Sequence, residues 1–399
     1  MQTDLTVILN THMPYVLGDG HIFEEPENWL FEAITETYIP LFRVLDRWDP
    51  RRNDGKKIIF SITPCLLSQL IDCKDRYTEY LLIMQKIAAF ETERTQSAAL
   101  YNRYEKWGGD LSAEDMCNLN RSAHLYLSRI NDALDFIQDN DFVHFLKKIM
   151  NRNSSGMEFW TSSPNHNFLP FFEKKTADYF IQRGVDRFVD VFNRKPDGFW
   201  LPECAFLPGI EEGLLKAGVR QTALTPHAVE AYHADIKSGI YRFGDLQVLI
   251  HDFRLGVHIW KTDIDTLPSN PVYREFYRDM GLDVVSNYYQ DAGIDISHWR
   301  RSAAWTGIKY HAITGYKVEL GSKKIYSAEA AELQVTCDAK AFFDILNEKR
   351  GYTYDQKSFI LAFDTELFGH WWHEGISWLG QVLDYDAAQN KVNINDSHA

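Results

Sequence analysis

Residues 359–372 read FILAFDTELFGHWW. An apolar run of strand length, Phe359 to Phe363, stops at Asp364, and Glu366, His370, Trp371, Trp372, His373 and Glu374 follow within ten residues. A continuous apolar run of this length fits a strand buried on both faces, as in a parallel sheet. The carboxyl end of such a strand is where ligands bind and catalytic groups collect. Asp364 and Glu366 are two apart, so on a continuing strand they would point the same way. Trp371 and Trp372 offer flat apolar faces that suit the C–H faces of a sugar ring, while carboxylates and imidazoles suit its hydroxyls. A buried strand followed by a helix capped by Asp364 would account for the same residues without any chemistry.

The same grammar recurs. Thr6 to Leu9 run into Asn10, Thr11 and His12, Ile58 to Phe60 run into Ser61 and Thr63, and Met157 to Trp160 run into Thr161, Ser162 and then His166. Glu203 lies just past the apolar stretch in GFWLPEC (198–204), and His227 holds the equivalent place in TALTPH (222–227). Helical-period segments such as 28–48 and 209–217 lie between these runs, so the pattern is a repeated βα unit with strand ends on one face. A parallel barrel is the economical solution. A lone His after a strand is commonly a satisfied core residue, but three of them beside two carboxylates, all at strand ends, exceed what capping explains.

At 399 residues the chain can bury a large core, and one barrel with an insertion accommodates it. The net charge of −14 argues against nucleic acid or an anionic membrane surface as partner. Aromatics make up 14% of residues, with 11 Trp, which suits carbohydrate stacking as well as a large core. The cysteines, Cys65, Cys73, Cys117, Cys204 and Cys337, are scattered and form no CxxC pair, so reduced thiols in the cytoplasm and no zinc cluster are expected. The N-terminal MQTDLTVILN lacks a basic leader, and no apolar run approaches a membrane span.

Four segments follow. Residues 1–85 form the first part of the barrel and 86–150 a helical insertion, with apolar residues at helical spacing and Gly108-Gly109 dividing it. Residues 151–383 complete the barrel and carry both candidate carboxylates, and 384–399 form a polar tail expected to fray. Residues 226–246, with few apolar residues and with Gly239, Tyr241 and Gly244, read as a long mobile loop.

The segments HMPYV (12–16), WLFEAITETYIPL (29–41), GMEFWTSSPNH (156–166), DGFWLPECAF (197–206), VYREFYRDMG (272–281), TGIKYHAITG (306–315) and AFDTELFGHWW (362–372) resemble glycoside hydrolase family 57, most closely its α-1,4-glucan branching enzymes. The resemblance implies an α/β fold, an incomplete (β/α)7 barrel with a helical insertion, and retaining chemistry on α-glucan without a cofactor or metal. It makes Glu203 the nucleophile and Asp364 the general acid/base, and it gives His12, His166 and Trp260 to the substrate. His227, Glu366, His370, Trp371 and Trp372 join them as candidate substrate-binding residues, and Tyr241 and Trp260 as candidates for an acceptor site. The chain departs from the family at Asn10 and Thr225, where relatives carry His and Asp, and at 265–270, and, as either a fragment or a shortened member, it is expected to lack the C-terminal helical region of the family's branching enzymes. α-Amylase, 4-α-glucanotransferase and a non-catalytic glucan-binding barrel are the alternatives within this resemblance. Metal chemistry with His12, His166, His227 and Asp364 as ligands has no HxxxH or HxH pair to support it.

Overall fold

A computed structural model describes residues 4–18, 25–49, 55–106, 110–139, 141–152, 156–230, 236–260, 266–296, 305–352 and 358–385. Its centre is an eight-stranded sheet. The strands are β1 (Asp4–Thr11), β2 (Lys56–Ile62), β3 (Met157–Ser162), β4 (Gly198–Trp200), β5 (Gln221–Leu224), β6 (Gly239–Phe243), β7 (Leu246–Ile250) and β8 (Ser358–Asp364). Their spatial order is β6-β7-β5-β4-β3-β2-β1-β8. Every neighbouring pair is parallel except the β6–β7 hairpin. Seven parallel strands therefore curl into the incomplete barrel, and a two-residue turn adds β6 at one edge. The gap is narrowed where the Asp252 N–H donates to the carbonyl of Ile360 on β8 at 2.7 Å.

Strand alternation sorts the apolar residues into two shells. Ile8, Ile59, Trp160, Trp200, Ala223, Leu249 and Ile360, one from each parallel strand, pack together with Cys204 as a single buried cluster inside the barrel. The alternate residues, among them Val7, Leu9, Phe60, Phe359 and Phe363, join the helices in a larger outer core. Both sides of each central strand are thus apolar, which is why these strands read as unbroken apolar runs.

Among the described residues, the β2-to-β3 connection is mainly helical: Pro64–Asp72, Lys74–Arg94, Ala98–Tyr104, Ala113–Asp139 and Phe142–Arg152. Residue 86 falls inside the second of these. A second long excursion, 251–357, separates β7 from β8 and contains the helices Phe253–Trp260 and Ala328–Tyr352. Within the supposed loop 226–246 lie a one-turn helix, Pro226–Val229, and β6. Half-buried and exposed residues alternate along β6, with Ile240 and Arg242 exposed, because an edge hairpin covers one face only. Helix Gly375–Asp384 covers most of the end of the described chain, and residues 386–399 of the expected tail lie outside the described residues. No described helix is long and apolar enough to cross a membrane.

The interior is tight where Trp160 lies over Gly198, its register partner on β4. A Cβ built on Gly198 would sit 2.3 Å from the Trp160 ring. Gly198→Ala should therefore cost about 1–3 kcal/mol of stability by overpacking. Thermal unfolding of the variant checks this, and an unchanged Tm would contradict the packing described.

Candidate active site

The parallel strands deliver their carboxyl ends to one face. His12 follows β1, His166 follows β3, Glu203 follows β4, His227 follows β5, and Asp364 closes β8. All five therefore lie at the same end of the barrel.

Glu203 is held in an unusual backbone. Directly after Pro202 it adopts φ 57°, ψ 20°, and Cys204 follows at φ 52°. Left-handed conformations at residues with a side chain are costly and gather at functional sites. Here the bend projects the Glu203 carboxylate from the strand end, with its side chain 72% exposed, and turns the Cys204 thiol into the barrel core. His166 is also left-handed, at φ 54°. Its Nδ1 lies 3.8 Å from Glu203 Oε1, too far for a hydrogen bond. The ring stacks on His12 with centroids 4.1 Å apart, and His12 Nδ1 lies 3.2 Å from Thr63 Oγ1. Burial lowers the pKa of His12 to about 3, with a contribution from His166, and lowers that of His166 to about 4. Both imidazoles are therefore neutral near pH 7. Nε2 of His166 is buried without a protein partner.

Asp364 pairs in register with Asn10 across β8 and β1, and the Asn10 amide donates to Asp364 Oδ1 at 2.9 Å. One residue further, the hydroxyls of Thr11 and Thr365 are 2.7 Å apart. Asp364 is exposed at the strand end, yet nearby protein raises its pKa by desolvation, and the Asn10 hydrogen bond opposes that rise. Cys204 is pushed up first by burial and then by the charges of both Glu203 and Asp364, and its Sγ lies 3.7 Å from His251 Nε2.

The sequence profile of glycosyl hydrolase family 57 matches residues 6–246. The chain belongs to that family. It is 30% identical to a 1,4-alpha-glucan branching enzyme of Thermococcus kodakarensis over 96% of its own length and 55% of that protein's. It is 24% identical to a probable 1,4-alpha-glucan branching enzyme of Mycobacterium tuberculosis, covering 95% and 67%. Among solved structures it is similar to an alpha-amylase from Thermotoga maritima (27% identity, TM-score 0.82, covering 96% of this chain and 71% of that one). It is also similar to the family 57 branching enzyme of Pyrococcus horikoshii (26%, TM-score 0.74, covering 96% and 67%). The chain thus spans about half the length of the first of these relatives and roughly two thirds of the others.

Within this family 57 chain, several of the residues picked out in the sequence lie elsewhere than expected. Trp371 is 42% exposed, stacks on Phe276 with centroids 4.6 Å apart and meets the His370 ring edge to face. Trp372 turns inward to pack among Tyr273, Phe368 and Trp378 and is not a stacking surface. Adjacent residues of a turn face opposite ways, and one of two apolar rings takes the core. Glu366 and His370 are buried and spend their polar atoms on the protein: Tyr38 donates to Glu366, and His370 Nδ1 lies 3.1 Å from Glu36. Tyr241 sits on β6, its hydroxyl donating to the carbonyl of Lys237 at 2.9 Å. His227 is exposed and meets Phe253 edge to face. Trp260 ends helix Phe253–Trp260, and its side chain lies outside the described residues. Asn10 and Thr225, the departures from the family pattern, are a hydrogen-bond donor to Asp364 and the N-cap of the turn carrying His227.

A cavity of about 860 Å³ lies behind Glu36, lined among others by Arg129, Arg274, Tyr326 and Glu374, and it includes neither Glu203 nor Asp364.

Glu366 gives a test by stability. Burial raises its pKa from 4.5 to about 8, with the charge of Asp364 adding to the rise and the Tyr38 hydrogen bond opposing it. The folded chain keeps a proton that the unfolded chain gives up. The resulting stabilisation is complete below pH 4.5 and is lost as pH rises through about 8. Glu366→Gln cannot ionise and still offers Tyr38 an acceptor. Between about pH 5 and pH 9 its Tm should fall less than that of the wild type, and parallel Tm profiles would show that Glu366 is ionised in the fold.

Proposed function

We propose that this chain is a retaining α-1,4-glucan-active enzyme of branching type, with Glu203 as nucleophile and Asp364 as general acid/base. One observation carries the reading: a carboxylate presented by a left-handed turn and a second carboxyl whose pKa is raised stand at the same end of the barrel. Double displacement requires such a pair, one ionised and one protonated, about 5–5.5 Å apart. Glu203 attacks the anomeric carbon while Asp364 gives its proton to the departing glycosidic oxygen, forming a glycosyl ester. Asp364, now ionised, takes a proton from an incoming hydroxyl, which displaces Glu203. Transfer to a glucan 6-hydroxyl makes a branch, and transfer to water is hydrolysis.

The surroundings support this assignment. Neutral His12 and His166 suit sugar hydroxyls, and the unpartnered Nε2 of His166 is a polar atom that a hydroxyl can satisfy. Trp371, backed by Phe276, is exposed enough to offer part of its ring to a pyranose. Five free cysteines fit a cytoplasmic setting. A second reading, net α-amylase action, is favoured by the openness of Glu203 to water and by the likeness to the Thermotoga maritima alpha-amylase.

Incubation with amylose, followed by debranching and chain-length analysis, separates these outcomes. New α-1,6 links are expected, accompanied by released reducing ends. Glu203→Gln should lose both activities. Asp364→Ala should lose about 10²–10⁴-fold on glucan yet retain turnover of activated donors, whose departure needs no proton. Normal glucan binding with no turnover in the wild type would instead make the chain a binding module.

A further inference from the structure

The helix that follows β1 is interrupted. Between the α-helices Glu25–Ala33 and Ile39–Arg47, residues Ile34–Tyr38 form a π-helical turn, in which the Ile39 N–H reaches back five residues to the Ile34 carbonyl. Pro40 supplies a cause: it has no N–H to give to Glu36, four residues earlier, so the regular ladder cannot run through this point. Such turns are uncommon and recur at functional sites. All five residues of this one are buried.

Three successive residues of the turn hold the loop that begins at Asp364. Tyr38 donates to the Glu366 carboxyl. The His370 N–H donates to Thr37 Oγ1 at 3.1 Å, and its ring Nδ1 lies 3.1 Å from Glu36 Oε2. The Glu36 carbonyl faces Gly369, where an added Cβ would come to within 2.1 Å of that oxygen and where φ is +102°, so only glycine fits. Glu36 is itself fixed from the other side by Arg274, which donates to Oε1 at 3.1 Å. Burial alone would raise the Glu36 pKa, but Arg274, the His370 hydrogen bond and Lys309 outweigh it and hold the carboxylate well below its usual range. The held residues are 366, 369 and 370. Asp364 lies two residues before the first of them, and Trp371 directly follows the last.

We propose that the π-helical turn Ile34–Tyr38 positions the acid/base loop, with Tyr38 and Thr37 as positioning residues that aim Asp364 and Trp371 at the glucan. The inference rests on the assignment of Asp364 as the acid/base. None of the turn's side chains needs to touch substrate. Their effect passes through Glu366 and His370 to the two residues that do.

A positioning role leaves a signature that simple destabilisation does not. If Tyr38→Phe misaims the acid, turnover falls only where the leaving group needs a proton. The experiment compares a maltooligosaccharide, whose leaving group is a sugar hydroxyl, with α-maltotriosyl fluoride, whose fluoride leaves unaided. Tyr38→Phe should lose about 10- to 100-fold in kcat on the oligosaccharide, a part of the full value of a general acid, and less than about 3-fold on the fluoride. Thr37→Val, which removes the acceptor for the His370 N–H while keeping the shape, should show the same selectivity and decides the matter if Tyr38→Phe does not fold. Equal losses on both donors, or no loss on either, would overturn the proposal. Asp364→Ala is the control for the underlying assignment. If it lacks the same donor selectivity, or if the wild type turns over neither donor, the acid/base reading fails first. If it has the selectivity and the turn variants do not, only the positioning role fails.

Discussion

The parallel pairing of β8 with β1 is the constraint on which the rest depends. It joins residues more than 350 positions apart, with Asp4 to Asn10 in register with Ser358 to Asp364. Forming it requires the long excursions after β2 and β7 to fold back, at a loop-closure cost that grows slowly with length. The gain is a barrel interior shared by all seven parallel strands. Only in this register does Asn10 meet Asp364 and Thr11 meet Thr365. A slip of one residue would turn Asp364 to the other face of the sheet.

The mouth of the barrel presents two exposed carboxylates. Glu203 stands on a strained bend, while Asp364 accepts a hydrogen bond from Asn10 and has its pKa raised by the surrounding protein. Glu366, next to Asp364, is buried and protonated near neutrality and adds no second negative charge there. Burial, more than charge, keeps His12, His166 and Glu366 neutral near pH 7.

Much of this was legible in the sequence because fully buried parallel strands leave unbroken apolar runs, and the polar residue after each run marks one end of the barrel. TVIL before Asn10 and FILAF before Asp364 carry that signal plainly. Where burial is one-sided the signal fades: β6, an edge strand with alternate exposure, looked like a loop. Trp371 and Trp372 are neighbours of the same chemistry, and only packing decides that one stays open while the other joins the core. Glu366 and His370 read as substrate ligands because their partners, Tyr38 and Glu36, come from a segment over 300 residues away. The left-handed backbone at Glu203 has no glycine to announce it. The π-helical turn did leave a trace, in Pro40 at the end of WLFEAITETYIPL, but its meaning needs the loop it contacts.

The central claim is that Glu203 becomes covalently bound to sugar during turnover. Treating Asp364→Ala with α-maltotriosyl fluoride should accumulate the glycosyl ester, because activation of the second nucleophile is crippled while the first step is not. Peptide mass mapping should then find the added maltotriosyl mass on the peptide containing Glu203. Fluoride release without any adduct there, or an adduct on another residue, would contradict the account.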